Sequence, residues 1–145
     1  MKKYTPLLLL LVSMLLLNAC KKEAVKTKNE LLTQKTWVIQ KWEEKVGTAN
    51  WVDDFPNFDA CSKDDQYLFR ANNTYEFSEG ATKCAPSDPQ IFDSGAWAFL
   101  DNETKLRIGS DDFTIEKLDN TSLVLTVQET IQSTVYQFRI TFRHL

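Results

Sequence analysis

Thr134-Val135-Tyr136-Gln137-Phe138-Arg139-Ile140-Thr141-Phe142-Arg143 carries the clearest strand pattern in the chain. Tyr136, Phe138, Ile140 and Phe142 alternate with Gln137, Arg139, Thr141 and Arg143, the period of two expected of a strand with one buried face and one wet face. Leu123, Leu125 and Val127 repeat the pattern, as do Leu106 and Ile108 against Lys105 and Arg107. Further out, strand patterns cover Thr36 to Glu44, Gln66 to Arg70, Thr74 to Ser78 and Ser94 to Leu100. Lys105 to Gly109, Phe113 to Leu118, Ser122 to Gln128 and Thr134 to Arg143 bring the expected strands to eight. Short turns separate most of them: Asp101-Asn102-Glu103, Gly109 to Asp112, Asp119-Asn120-Thr121 and Glu129 to Ser133. Regular short strands with short turns indicate an antiparallel meander, and eight can close into a barrel that leaves no exposed edge. A short helix over Asn29 to Gln34, capped by Asn29, precedes the first strand.

The N-terminus sets the compartment. Lys2 and Lys3 precede an apolar run from Leu7 to Leu17, which as a helix is only about 16 Å long, too short to span a bilayer core of ~30 Å. Positive start and short apolar run suit a secretory signal peptide over residues 1–19. Leu17-Asn18-Ala19-Cys20 resembles the lipobox of bacterial lipoproteins, with Asn18 less usual at its place. The resemblance implies a diacylglyceryl group on Cys20, cleavage before it, and a lipid bilayer as partner. Two or three acyl chains hold far more firmly than one. Residues 20–29 then read as a solvated tether, in which Lys21, Lys22, Lys26 and Lys28 stand beside phospholipid head groups. Lys21 is not the aspartate that retains such lipoproteins in the inner membrane, so the expected address is the cell envelope at the outer membrane.

Residues 30–145 form one expected domain, long enough to bury a core. Without Lys2 and Lys3, the 17 basic residues fall to 15 against 20 acidic ones, a formal net charge of about −5. No basic patch is left for nucleic acid.

With Cys20 assigned to lipid, Cys61 and Cys84 form an even pair in an oxidising compartment. Their positions agree: Ala71-Asn72-Asn73 reads as a turn, and in a hairpin where Ala71 faces Thr74, Cys61 falls opposite Cys84. A thiol–metal site is the rival, but the chain has one histidine and no Cys-x-x-Cys. The two long connections, 45–65 and 79–93, would be tied together by this disulfide near one end of the sheet. Loops of this length are usually lids, binding loops or disordered.

Leu31-Leu32-Thr33-Gln34-Lys35-Thr36-Trp37, then Asp65-Gln66-Tyr67-Leu68-Phe69-Arg70-Ala71-Asn72-Asn73-Thr74-Tyr75-Glu76-Phe77, resemble the lipocalin-like domain lipoproteins of Gram-negative bacteria. Gly95-Ala96-Trp97 and Phe113-Thr114-Ile115-Glu116-Lys117-Leu118 followed by Leu123-Val124-Leu125 add to the likeness, which runs over residues 30 to 145. The resemblance implies an eight-stranded up-and-down β-barrel closed at one end by Trp37 and able to hold a small apolar molecule. It carries over no catalytic site. Lys35-Thr36-Trp37 departs from the glycine-x-tryptophan of true lipocalins.

If the alternation holds, Phe69, Tyr75, Phe77, Trp97, Phe99, Phe113, Tyr136, Phe138 and Phe142 point inward. They either line a ligand cavity or fill the barrel, since an eight-stranded barrel is just wide enough for either. Trp37 and Trp42 lie five positions apart and so face opposite sides unless a bulge intervenes. Trp51, Phe55 and Phe58 belong to the first long loop, as a lid over the barrel mouth or as a docking site for an envelope protein.

No catalytic role is expected. His144 sits next to the terminus, where fraying and solvent are the rule, and a paired Cys61 and Cys84 leave no nucleophilic thiol. Asp53, Asp54, Asn57, Asp59, Asp64 and Asp65 concentrate oxygen ligands but lack the glycine and final glutamate of a calcium loop, so solvated loop carboxylates are expected, with no metal and no cofactor. Asn72-Asn73-Thr74, Asn102-Glu103-Thr104 and Asn120-Thr121-Ser122 match glycosylation acceptors, but asparagine is wanted in turns for its backbone tolerance.

Overall fold

Strand closure begins at the chain's end. A computed structural model describes residues 25–145; Leu7 to Leu17, Cys20 and the first part of the tether lie outside the described residues. The last two strands, β8 (Ser122–Ile131) and β9 (Thr134–His144), pair from Ser122↔Arg143 to Ile131↔Thr134. Only Gln132 and Ser133 join them, both at positive φ (47° and 68°), as in the type I′ turn whose twist matches that of paired strands. The hairpin is therefore longer, and its turn tighter, than Glu129 to Ser133 suggests.

The other strands are β1 (Trp37–Val46), β2 (Val52–Asp53), β3 (Gln66–Phe69), β4 (Thr74–Ser78), β5 (Ile91–Leu100), β6 (Lys105–Ile108) and β7 (Asp111–Leu118). From β3 to β9 each pairs antiparallel with the next, and β1 pairs with β9 to close the ring. The result is the expected eight-stranded antiparallel barrel, made by β1 and β3 to β9. The two-residue β2 is an addition inside the first long loop. β1 meets β3 only at Trp37↔Tyr67, and β2 takes over farther along at Glu43↔Asp53 and Glu44↔Val52.

Three local details differ from the sequence expectation. First, the β3–β4 hairpin pairs Phe69↔Tyr75 and Tyr67↔Phe77, one residue away from an Ala71–Thr74 pairing. Asn73 sits at φ 64° and Asn72 Oδ1 accepts from the Thr74 amide and hydroxyl, so all three turn residues stay outside the ladder. Second, the helix α1 spans Lys28–Thr33, and Thr27 caps it, not Asn29. The Thr27 side chain accepts from the Glu30 amide while Glu30 accepts from the Thr27 amide, a reciprocal capping box. Third, β1 carries a bulge between Ile39 and Lys41. The extra residue, exposed Gln40, resets the alternation so that Trp42 faces the same side as Ile39. Trp37 and Trp42 thus both point inward, and neither sits on the outer wall.

The core joins both ends of the chain. Leu32, Trp37, Ile39, Phe69, Tyr75, Trp97, Leu106, Leu123, Leu125, Ile140 and Phe142 form one buried cluster. Trp37 is fully buried and its Nε1 donates to the Leu32 carbonyl at 2.9 Å, fixing α1 across the barrel end. His144 is not frayed: its ring stacks on Trp37 at 3.9 Å between centroids, because β9 pairs with β1 as far as Trp37↔His144. Burial lowers its pKa from the ordinary 6.5.

Candidate functional site

The residues expected to face inward meet one another. Phe69, Tyr75 and Trp97 are buried, while Phe77, Phe99 and Phe113 pack half-buried against the core. All but Phe113 form a continuous series of rings: Trp97 with Phe99 at 5.3 Å, Phe69 with Trp97 at 6.2 Å, Phe69 with Phe77 at 5.9 Å and Tyr75 with Phe77 at 4.6 Å. Centroid separations of 4.5–7 Å are those of favourable tilted and edge-to-face pairs. The polar tips are satisfied, with Trp97 Nε1 donating to the Arg70 carbonyl and the Tyr75 hydroxyl to Asp93. Tyr136 and Phe138 stand apart from this series. Both are half-buried, and Phe138 contacts Trp42 at 6.3 Å.

The long loop divides its aromatics. Phe58 lies 5.8 Å from Trp42 and 5.5 Å from Phe55, and Phe55 packs on the core. Asp53 Oδ1 holds this arrangement by accepting from the Phe55 and Trp42 amides. Trp51 takes the opposite side. Arg139 and Glu43 alternate with core residues and so face outward, and the guanidinium of Arg139 lies 4.4 Å from the centre of the Trp51 ring. Near the far end of β1, on the face shared by Phe138 and Glu44, a pocket of about 320 Å³ is lined by Glu44, Val46, Ala49, Asn50, Val52 and Asp54.

The loops are tied as expected. Cys61 and Cys84 form a disulfide with Cα atoms 5.1 Å apart. Cys61 sits in a 3-10 turn, Ala60–Asp64, so the bond links two loops instead of extending the β3–β4 ladder.

The acidic residues spread over local tasks. Asp54 accepts from the Asn57 side chain, and Asp64 Oδ2 accepts from the Ala81 and Thr82 amides. Among the described residues, no group of three or more His, Cys, Asp or Glu side chains is arranged to hold a metal ion. Burial, with Glu79 and Asp64 nearby, pushes the Asp65 carboxyl up to about 6, opposed weakly by the Gly80 amide.

Two features escape a reading of the chain alone. Glu43 and Arg139, 96 residues apart, form a two-pronged ion pair at 2.7 and 2.8 Å, and Asp65 and Glu79 face each other just beyond the Gln66↔Ser78 pair of the β3–β4 hairpin. Barrel closure between the first and last strands was the available signal for the former. For the latter the β3–β4 hairpin was the signal, legible to within one residue of register.

The Lipocalin-like domain family model matches residues 33–125. The chain belongs to this family. A search of curated proteins finds no match. A lipocalin-like barrel of this kind suits a ligand-binding or structural module. This lipocalin-like chain carries a tryptophan on the outer wall and a disulfide across its two longest loops.

Proposed function

We propose that the protein is a membrane-tethered, non-catalytic module of the bacterial envelope, whose packed barrel is a scaffold presenting recognition surfaces at its rim and outer wall. One observation supports this reading: inside the barrel the aromatic rings pair with one another in a series from Phe99 through Trp97, Phe69 and Phe77 to Tyr75, which favours a packed interior over a luminal site. The tether rests on Leu17-Asn18-Ala19-Cys20, with acyl chains on Cys20 as the anchor and Lys21 favouring the outer membrane. Full-length protein extracted in detergent from its own membrane provides the test. Labelled palmitate should enter the wild type and not Cys20→Ala. Native mass spectrometry should show acyl mass with no further retained molecule, and an apolar fluorophore should gain no signal. Label persisting in Cys20→Ala overturns the anchor, and stoichiometric dye binding overturns the packed scaffold.

The pocket of about 320 Å³ bounded by Val46 and Val52 favours a second reading. It supports a small apolar ligand held at the barrel mouth beside Phe138, with the 45–65 loop around it. Dye binding that is lost in Val52→Asp would select this reading.

A further inference from the structure

The outer wall carries a second concavity, of about 290 Å³, formed by Trp51 together with Thr114, Glu116, Thr126, Gln128 and Gln137. We propose that this groove binds a neutral saccharide, a mono- or disaccharide unit of a longer glycan, with the Trp51 indole as its stacking wall. The proposal rests on the reading of the barrel as a scaffold and names the ligand class of one of its surfaces.

The chemistry of the lining carries the inference. A pyranose has a flat face of C–H groups and a rim of hydroxyls that both donate and accept. Binding it takes an aromatic plane beside hydroxyl, amide and carboxylate groups. Thr114 and Thr126 supply hydroxyls of the same dual character, and Gln128 and Gln137 supply amides. Gln137 Nε2 donates to Gln128 Oε1 at 3.2 Å, which orients both side chains and leaves the Gln137 oxygen and the Gln128 amide hydrogens available to a ligand. The volume lies at the low end of small-molecule sites, which fits a short sugar segment.

At the site Asp112 and Arg139 are paired while Glu116, among the described residues, is not, and this selects a ligand without negative charge. Asp112, also at the groove, is held by Arg107 through two bonds of 2.6 and 2.8 Å. Arg139 forks onto Glu43 and lies in the field of Glu116. An anion would therefore meet the unpaired Glu116 carboxylate. A quaternary ammonium would be repelled by two like charges beside the indole, Arg139 at 4.4 Å and Lys45 at 5.8 Å from its centre. Those two cations also hold the ring in place, so stacking orders little that is not ordered beforehand. A half-buried tryptophan laid across polar strands contributes nothing to the interior core, whereas it completes this groove.

Saturation-transfer NMR on the detergent-solubilised full-length protein tests the proposal, with cellobiose, maltose and methyl β-glucoside as probes, and choline and galacturonate as charged controls. At least one neutral sugar should receive saturation at its ring C–H protons, and neither control should. Trp51→Ala should weaken binding by about tenfold or more, as truncating a central aromatic anchor does. Thr126→Lys keeps Trp51 but fills the groove, and should abolish transfer with the melting temperature held. Transfer to none of the neutral sugars, preference for choline, or undiminished transfer in both variants overturns the proposal. A protein that binds apolar dye yet still recognises sugar would sink the packed-scaffold reading alone. One that binds neither would sink only the saccharide site.

Discussion

The guanidinium of Arg139 lies 4.4 Å from the centre of the Trp51 ring while its Nε and Nη2 both donate to Glu43. The closing seam of the barrel, β1 against β9, thereby builds the support for a loop residue on the outer wall. Glu43 is only 5% exposed and also accepts from Lys41 at 2.6 Å. Its bonds to Arg139, above all, pull its pKa from 4.5 down to about 2, against burial, with Lys41 adding to the pull. A carboxyl whose folded pKa is depressed contributes stability above its unfolded pKa and loses it as pH falls through the folded value. Glu43→Gln should therefore cost about 2 kcal/mol at neutral pH. The difference from wild type should shrink between pH 4.5 and about 2, as denaturant midpoints measured down that range would show.

Asp65 should respond in the opposite sense. Its carboxyl, raised to about 6 by burial and then by Glu79 and Asp64, holds its proton longer in the folded protein than in the unfolded chain. Stability from this group therefore falls as pH rises from 3.8 to about 6. Asp65→Asn should stabilise the protein at pH 7.5 by roughly 1 kcal/mol, discounted for partial exposure, and change little at pH 3.5. Carbon-13 titration of the Asp65 carboxyl reads the same group directly, and a midpoint near 4 would contradict it.

The Cys61–Cys84 bond spans a sequence separation of 23, and loop closure of that size is worth about 3 kcal/mol in the chain-entropy model. Cys84→Ala, or reduction, should lower the melting temperature by about 8–12 °C. Thiol counting on the unfolded, non-reduced protein should find neither cysteine reactive. Because the bond joins loops and not the strand ladder, the β-sheet circular dichroism signal should persist below the new transition.

Gly80 allows the closest approach of the two tied loops. A Cβ there would lie 2.1 Å from the backbone oxygen of Asp64, a contact that only backbone movement relieves. That movement would pull Asp64 away from the Ala81 and Thr82 amides. Gly80→Ala should cost about 2 kcal/mol or more. Gly47→Ala controls for a general glycine effect, since no atom lies within 4 Å of a Cβ there. It should cost less, about 1 kcal/mol from its positive φ of 56°.

From the chain alone the eight barrel strands, their order and, where no bulge intervenes, the face each presents are legible, because burial of one face imposes a period of two that survives without knowledge of any partner. Tyr136 to Phe142, Leu123 to Val127 and Leu106 to Ile108 are legible for that reason, and so is the pairing of Cys61 with Cys84 once Cys20 is set aside. Tertiary structure alone decided whatever depended on a single inserted or displaced residue. The bulge at Gln40 turned Trp42 inward, Asn73 at positive φ moved the β3–β4 register by one, and ring closure brought His144 onto Trp37. Strand pairing across the barrel likewise set Glu43 beside Arg139 and gave Trp51 its seat. Alternation is local, but which residues meet across a closed sheet is set by how the ring is sheared as it shuts, and no stretch of chain records that on its own.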